Sequence, residues 1–239
     1  MRNVLALPQN PQFSNWVTVW TGSWGNITIG RYMKNSIIVS SFSLIIVLLL
    51  AYPAGYALAR YRFVLNKAVI TILLGTMCIP IATLLVPLYI MLKAMGLTET
   101  YPGLILPYVA FSVPFATILS RAYFASYPRE IEDAAKVDGC SDFGVFLRVI
   151  IPSSKTILAT LVVVVFPGLW NEFILANIVL SSNRMKTLPA GVGLFRGSFT
   201  TQWNYMFAAI AIASLPTLLI YFLFQRHIIK GMTLGSVKG

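Results

Sequence analysis

The sequence predicts an all-α membrane protein with five transmembrane helices. Hydrophobic residues make up 57% of the 239 residues and charged residues only 10%, whereas a soluble domain carries about 25% charged residues. The charges are clustered, and five stretches between them are long enough to cross a hydrocarbon core of about 30 Å, which takes about 20 helical residues. A β-barrel would need short alternating segments, but stretches such as Ile37 to Leu50 are almost continuously apolar.

The five predicted helices follow these stretches in order. Four of the stretches contain no charged residue, and the remaining one, the fourth along the chain, contains only Glu172. We expect helices at about 36–60, 68–94, 103–125, 156–181 and 205–228. Prolines inside several of them predict bends, because proline removes a backbone hydrogen bond. The polar and aromatic residues 1–34 are expected to form a loosely structured external lead-in to a transmembrane domain at 35–239.

The net charge of +11 is explained by membrane topology rather than by nucleic-acid binding. Lys and Arg concentrate in cytoplasmic loops. If the first helix runs from outside to inside, the segments 60–67, 121–155 and 226–239 face the cytoplasm and hold eleven of the 18 Lys and Arg residues. The prediction is an external N-terminus and a cytoplasmic C-terminus.

The segment between the third and fourth predicted helices has a different composition from the rest of the chain. It contains five of the seven acidic residues, which are Glu130, Glu132, Asp133, Asp138 and Asp142. Gly139 divides the segment, and Ser141 is a suitable N-cap for a second short helix. Phe143, Phe146, Leu147 and Ile150 then form one apolar stripe at helical spacing. We therefore expect a helix–glycine–helix hook at 126–152 that docks on a partner.

The hook carries a family motif. It has Asp133-Ala134-Ala135, then Gly139, Val149 and Ile151-Pro152. This spacing resembles the EAA loop of the permease subunits of binding-protein-dependent ABC importers, with Asp133, Val149 and Ile151 as conservative departures.

Further short matches extend the resemblance over almost the whole chain and indicate the carbohydrate-uptake, maltose-permease-like branch. They are Asn35-Ser36, Ala59-Arg60, Pro87-Leu88-Tyr89, Gly96-Leu97, Trp170-Asn171-Glu172-Phe173, Gln225-Arg226, Gly231, Gly235 and Val237-Lys238-Gly239. Members of the family usually have one more transmembrane helix before the external lead-in, and this sequence departs from the family pattern at that point.

The resemblance implies a multi-pass subunit in a bacterial or archaeal inner membrane. Its implied partners are two cytoplasmic ABC ATPase subunits, a second related permease, an extracytoplasmic solute-binding protein and a carbohydrate or carbohydrate-derived solute. The ATPase-coupling residues that it implies are Glu132, Asp133, Ala134, Ala135, Asp138 and Gly139. Small residues allow close approach at this loop, and the carboxylates can pair with Arg or Lys of an ATPase.

The fourth predicted helix supplies the candidates for the solute pathway or its gate, Trp170, Asn171 and Glu172. A charged group in a membrane span is costly and is usually functional or paired. Glu172 could line the pathway or hydrogen-bond to a helix of the partner permease. Trp170 and Asn171 suit contact with a sugar, although packing is the more common role of a membrane Trp.

Other classes of protein remain as alternatives. An ion-coupled secondary transporter would need coupling carboxylates in the membrane, and Glu172 is the single candidate. A structural anchor would explain the hydrophobicity but not the hook. The chain has one His, two distant Cys and no Gly-x-x-x-x-Gly-Lys-Ser/Thr loop. We therefore expect no metal site, no cofactor and no enzymatic activity in this chain.

Overall fold

The computed structural model describes residues 12–22, 28–196 and 202–233, and every regular element of more than one residue in these ranges is a helix. The α-helices are α1 Ser14–Thr21, α2 Ile29–Arg60, α3 Asn66–Met77, α4 Ile81–Ala94, α5 Pro102–Ser126, α6 Glu130–Val137, α7 Asp142–Ser153, α8 Lys155–Trp170, α9 Ile174–Val179, α10 Leu188–Val192 and α11 Trp203–Thr233, and a short 3-10 helix at Gly193–Phe195 follows α10.

The described residues include three helices that are individually long and apolar enough to cross a membrane, namely α2, α5 and α11. Two bent pairs also pass the same test when each is taken together: α3 with α4, bent by 97°, and α7 with α8, bent by 70°. The predicted number of five spans is therefore reached if each bent pair is one crossing. The chain is an all-α membrane protein with several apolar helices.

The second predicted helix is interrupted, because α3 ends at Met77 and α4 begins at Ile81. Pro80 has φ −65° and ψ 129°, an extended conformation. Proline lacks a backbone N–H, and it disfavours helical backbone in the residue before it. By contrast, Pro53 and Pro87 remain inside α2 and α4.

Two boundaries near the N-terminus differ from the prediction. Part of the expected loose lead-in is helical, since α1 contacts α11 and buries Val19. Helix α2 begins at Ile29, so the predicted boundary at residue 34 lies inside a helix. Apolar contact with α11 is enough to order a short helix that could not be stable alone.

The core of the bundle lies between α2, α5 and α8. Helices α2 and α5 approach closely at Gly55, where an added Cβ would lie 2.3 Å from the Cβ of Ser120 and 2.8 Å from the backbone nitrogen of Arg121. Glycine is required there because any side chain would push the two helices apart. Large apolar side chains on α3, α4 and α11 are exposed instead, as expected of surfaces that meet lipid or another membrane subunit.

Candidate functional site

The hook that the sequence predicts is present as α6, a turn at Gly139 and α7. Gly139 has a φ of 84°, which L-residues with side chains rarely adopt. The backbone N–H of Gly144 donates to Ser141 Oγ at 3.2 Å, as expected of an N-cap. Lys136 Nζ lies 2.7 Å from Asp142 Oδ1 across the turn. The hydrogen bond and the charge of Asp142 raise the pKa of Lys136.

The two faces of the hook have different surroundings. Asp133, Ala134, Asp138 and Gly139 are exposed, whereas Glu132 and Ala135 are buried against the bundle. The exposed face also carries two apolar side chains, Val137 at 88% exposure and Phe143 at 71%. A protruding surface with two carboxylates, small residues and exposed apolar groups is suited to binding another protein.

Glu132 differs from its expected role as a charge offered to a partner. Arg60 Nε donates to Glu132 Oε1 at 2.6 Å, and the Tyr56 hydroxyl donates to Glu132 Oε2 at 2.9 Å. The Arg60 and Glu132 side chains are only 6% and 9% exposed. Arg60 Nη2 also donates to the Tyr127 carbonyl at 2.8 Å. Both carboxylate oxygens of Glu132 are thus bonded to side chains at the end of α2 in its own chain.

The four residues of the apolar stripe of α7 also differ in their burial. Ile150 is fully buried and Phe146 packs against the core, but Phe143 and Leu147 are exposed. Residues Val145–Ile150 form π-helical backbone, and such short stretches are frequent at functional sites.

Both carboxylate oxygens of Glu172 accept hydrogen bonds from groups of its own chain. Its Oε2 accepts from the Tyr108 hydroxyl of α5 at 2.7 Å and from the Ala176 N–H at 3.0 Å. Its Oε1 accepts from the Leu175 N–H at 2.7 Å. The carboxylate thereby caps the N-terminus of α9, which explains why the predicted helix 156–181 ends at Trp170 and restarts at Ile174.

Trp170 and Asn171, which precede Glu172 in the sequence, differ in their exposure. Trp170 is 2% exposed, its indole N–H donates to the Ala213 carbonyl of α11 at 2.9 Å, and its ring stacks on Phe166. Asn171 is exposed. The open groove beside Trp170, of about 640 Å³, is lined mainly by apolar side chains such as Leu215 and Leu219, which do not suit a hydroxyl-rich solute.

A second polar cluster lies at the opposite end of α2 from the hook. Its hydrogen bonds fix the position of residues 181–196, which we call the distal segment. The Asn35 amide donates to the carbonyls of Arg184 at 3.0 Å and Lys186 at 2.9 Å. The Leu188 N–H donates to Ser36 Oγ at 2.7 Å, and the Tyr101 hydroxyl donates to Asn35 Oδ1 at 2.8 Å.

Lys186 is the buried cation of this cluster, with 5% exposure. Its Nζ donates to Asn177 Oδ1 and to the Leu180 carbonyl, both at 3.1 Å, and burial lowers its pKa. The loop between the fourth and fifth predicted helices, from Ser181 to Asn204, contains α10, which is buried. A Cβ on Gly191 would lie 2.1 Å from the ring of Tyr32. Residues 197–201 of that loop lie outside the described residues.

The partners of the two glutamates were not predicted from the sequence. Tyr56 precedes Arg60 by one helical turn, so their shared face could have been predicted, but nothing marked Tyr108 as the donor to Glu172. Within the described residues, no group of three or more His, Cys, Asp or Glu side chains could hold a metal ion. Both cysteines, Cys78 and Cys140, are free.

Comparisons with known proteins agree with this architecture. Residues 51–234 match the family described as the binding-protein-dependent transport system inner membrane component. A probable ABC transporter permease of Bacillus subtilis, YurM, is 36% identical over 98% of this chain and 76% of its own length. The sulfoquinovosyl glycerol transport system permease SmoH of Agrobacterium fabrum is 30% identical over 97% of this chain and 80% of its own length.

A diacetylchitobiose uptake permease of Streptomyces coelicolor, NgcG, is 34% identical over 98% of this chain and 76% of its length. The crystal structure of a bacterial ABC transporter that imports the polysaccharide alginate contains a chain with the same fold. It superposes with a TM-score of 0.78 at 22% identity, over 95% of this chain and 83% of that one. The chain belongs to the family of inner membrane components of binding-protein-dependent transport systems, and it is a non-enzymatic permease subunit of an ABC transporter.

Proposed function

We propose that the chain conducts a carbohydrate or a carbohydrate-derived solute through the membrane, with ATP hydrolysed by partner subunits. The observation that carries the proposal is the hook, whose exposed face combines acidic, small and apolar residues at the family's spacing. The named solutes of two relatives, sulfoquinovosyl glycerol and diacetylchitobiose, support the solute class. An ion-coupled transporter is less well supported, because the carboxylate of Glu172 accepts three hydrogen bonds within the chain.

The proposed ATPase contact is the exposed face of the hook. Asp133 and Asp138 would pair with cations of the ATPase, and Ala134 and Gly139 would let its backbone approach closely. Val137 and Phe143 would bury apolar surface in the same contact.

Glu132 and Ala135 take a different part in the coupling. Both are buried toward the bundle, and in our proposal they hold the hook in position and leave the ATPase contact to the exposed residues.

The proposed orientation places the hook in the cytoplasm and the distal segment outside. The excess of Lys and Arg in the segments 60–67, 121–155 and 226–239 supports it. The N-terminal residues would then be external and the C-terminus cytoplasmic. In this arrangement the distal segment is available to the solute-binding protein.

The proposed assembly contains one copy of this chain, one related permease, two ATPase subunits and the external binding protein. A single chain with large exposed apolar faces on α3, α4 and α11 does not enclose a polar path, and lipid cannot line one. The second permease would supply the missing wall. The transmembrane domain would begin with α2 at Ile29, and the residues before it would form the external lead-in, with α1 packed against α11.

Reconstitution tests the proposal. The chain is co-expressed and co-purified with an ATPase, a related permease and a binding protein from the same genome, and the complex is placed in lipid vesicles. The solute released from the denatured binding protein is identified by mass spectrometry, and we expect a carbohydrate that is taken up only with ATP. Uptake driven by an ion gradient without ATP, or a solute with no sugar moiety, would contradict the proposal.

A further inference from the structure

One face of α2 contacts both arms of the hook. Tyr52, Tyr56 and Arg60 are spaced four residues apart, so they lie on one side of the helix. All three belong to its last three turns, beside the hook. The hook is joined through the chain to α5 and α8, whereas it meets α2 only through side chains.

The first arm, α6, is held by polar contacts. Glu132 receives one hydrogen bond from Arg60 and one from Tyr56, and Arg60 also binds the carbonyl of Tyr127 at the start of the hook. A buried carboxylate and guanidinium in this geometry resist separation, because separating them would leave each charge without a partner in a nonpolar setting.

The second arm, α7, is held by the same face of α2. The Tyr52 hydroxyl bonds to Ser154 Oγ and lies 3.5 Å from the Ile150 carbonyl. The ring of Phe146 lies 5.8 Å from that of Tyr52 and 5.0 Å from that of Tyr56. Movement of either arm therefore acts on α2.

The other end of α2 holds the distal segment. Asn35 and Ser36 bind the backbone of Arg184, Lys186 and Leu188. Helix α2 runs without a break for 32 residues and includes both clusters. The 25 steps from Asn35 to Arg60 correspond to about 38 Å at 1.5 Å per residue. No other helix in the described residues has side-chain hydrogen bonds to both the hook and the distal segment.

We propose that α2 is the rod that carries movement between the distal segment and the hook, with Tyr52, Tyr56 and Arg60 as positioning residues. This inference rests on the proposed function, because it assumes that the hook binds an ATPase and that the distal segment receives the binding protein. The alternative is that movement passes from the hook only through α5 and α8, the helices to which the hook is joined along the chain.

The first test removes hydroxyl groups and keeps the aromatic rings. The complete transporter carries Tyr52→Phe together with Tyr56→Phe, and the probe is the binding protein isolated with its own bound solute. The readout is the stimulation ratio, the ATPase rate with this probe divided by the rate without it. We expect the ratio to fall by about threefold or more, because one hydrogen bond alters an equilibrium by about this factor.

The matched control is Tyr61→Phe, an exposed tyrosine one residue beyond Arg60, which should leave the stimulation ratio unchanged. The amount of ATPase that co-purifies with the double variant should equal that of the wild type, which separates transmission from folding. An unchanged ratio in the double variant would overturn the inference. A wild-type complex that shows no stimulation would instead count against the proposed function.

The second test replaces the ion pair by a covalent link. Arg60→Cys and Glu132→Cys are combined with Cys78→Ser and Cys140→Ser, and the new thiols are joined by a bis-methanethiosulfonate reagent. If α2 and the hook move as one body, the stimulation ratio is low before linking and recovers after it. A ratio that stays low or falls further on linking, in complexes that retain their ATPase, would overturn the inference.

Discussion

Three charged residues of this chain, Glu132, Glu172 and Lys186, have partners on other helices. Glu172 joins α5 to α9, and Glu132 joins the hook to α2. Lys186 joins the distal segment to α9 through Asn177. Because unpaired charge is costly in such surroundings, each of these residues fixes the position of one helix relative to another.

Glu172→Gln tests the first of these contacts. Glutamine has nearly the same shape, but a neutral acceptor forms weaker hydrogen bonds than a carboxylate, and its NH2 group cannot accept from a backbone N–H. We expect a loss of about 1–3 kcal/mol in the free energy of unfolding, measured by thermal unfolding in detergent. Asn171→Ala, at the exposed neighbouring position, should change it little. Equal losses in the two variants would contradict a capping role.

The burial of Lys186 predicts that the thermal stability of the chain depends on pH. Burial lowers its pKa below the ordinary value of 10.5, so its charged form is less favourable in the folded chain than in the unfolded chain. The resulting penalty is present at pH below the lowered pKa and disappears as pH rises through it toward 10.5. Relative to Lys186→Met, the wild type should therefore gain thermal stability between neutral and alkaline pH. A constant difference in melting temperature across that range would contradict the shift.

At the scale of the elements, the hook could be predicted from local sequence and the helix breaks could not. A capping serine, a glycine and periodic apolar residues suffice to define a helix–turn–helix. The break at Pro80 depends on which prolines the helices accommodate. The break at residues 171–173 depends on the Glu172 carboxylate, which caps the next helix. Pro53 and Pro80 look equivalent in the sequence, yet only Pro80 interrupts a helix.

The candidate site, too, could be predicted only in those parts that depend on local sequence. The motif identified the hook residues, but not that Glu132 faces inward and Asp133 faces outward. That difference depends on Arg60, which is 72 residues away in the sequence. Likewise, the sequence left both sugar contact and packing open for Trp170. The bond from its indole N–H to α11 depends on the Ala213 carbonyl, 43 residues away in the sequence.

The turn of the hook provides a prediction for one element. Gly139→Val places a β-branched residue at a φ of 84°, a conformation that costs an L-residue about 1–2 kcal/mol or more. An added Cβ meets no atom within 4 Å, so the effect arises from the backbone alone. We expect normal insertion in the membrane but loss of ATP-driven uptake. Gly139→Asn should retain more uptake, because Asn tolerates this conformation. Full uptake by Gly139→Val would exclude a role for the turn in coupling.

At the scale of the whole molecule, the two ends of the bundle present different surfaces. The hook end exposes carboxylates and apolar groups, and the opposite end exposes Arg184 and Arg196 around a buried α10. Because α10 and Phe195 belong to the core, deleting part of the distal segment would damage the fold. Substitution of the exposed cations is the better test of docking.

The double variant Arg184→Glu and Arg196→Glu tests contact with the binding protein. Both side chains are exposed on the distal segment, so their reversal should leave the fold intact and reverse the local potential. We expect weaker stimulation of ATPase activity by the loaded binding protein, with a steeper loss at low salt, where charges are less screened. Arg62→Glu at the hook end is the control. An undiminished response would show that these cations take no part in docking.

The exposed membrane faces lead to a prediction about assembly. Side chains of α3, α4 and α11 such as Ile72, Val86 and Phe222 are more than 60% exposed, and apolar side chains of this kind can face lipid or another subunit equally well. A path for a polar solute cannot face lipid, because nothing there would satisfy its hydrogen bonds. A second protein subunit must therefore form the opposite wall of the solute path.

We expect that wall to be a related but different permease. Native mass spectrometry of the purified complex should then give one copy of this chain, one of the related permease and two ATPase subunits. An active complex with two copies of this chain and no relative would contradict the expectation. A two-fold symmetric pair would present the same face from both sides, whereas two different permeases can present different residues to an asymmetric sugar.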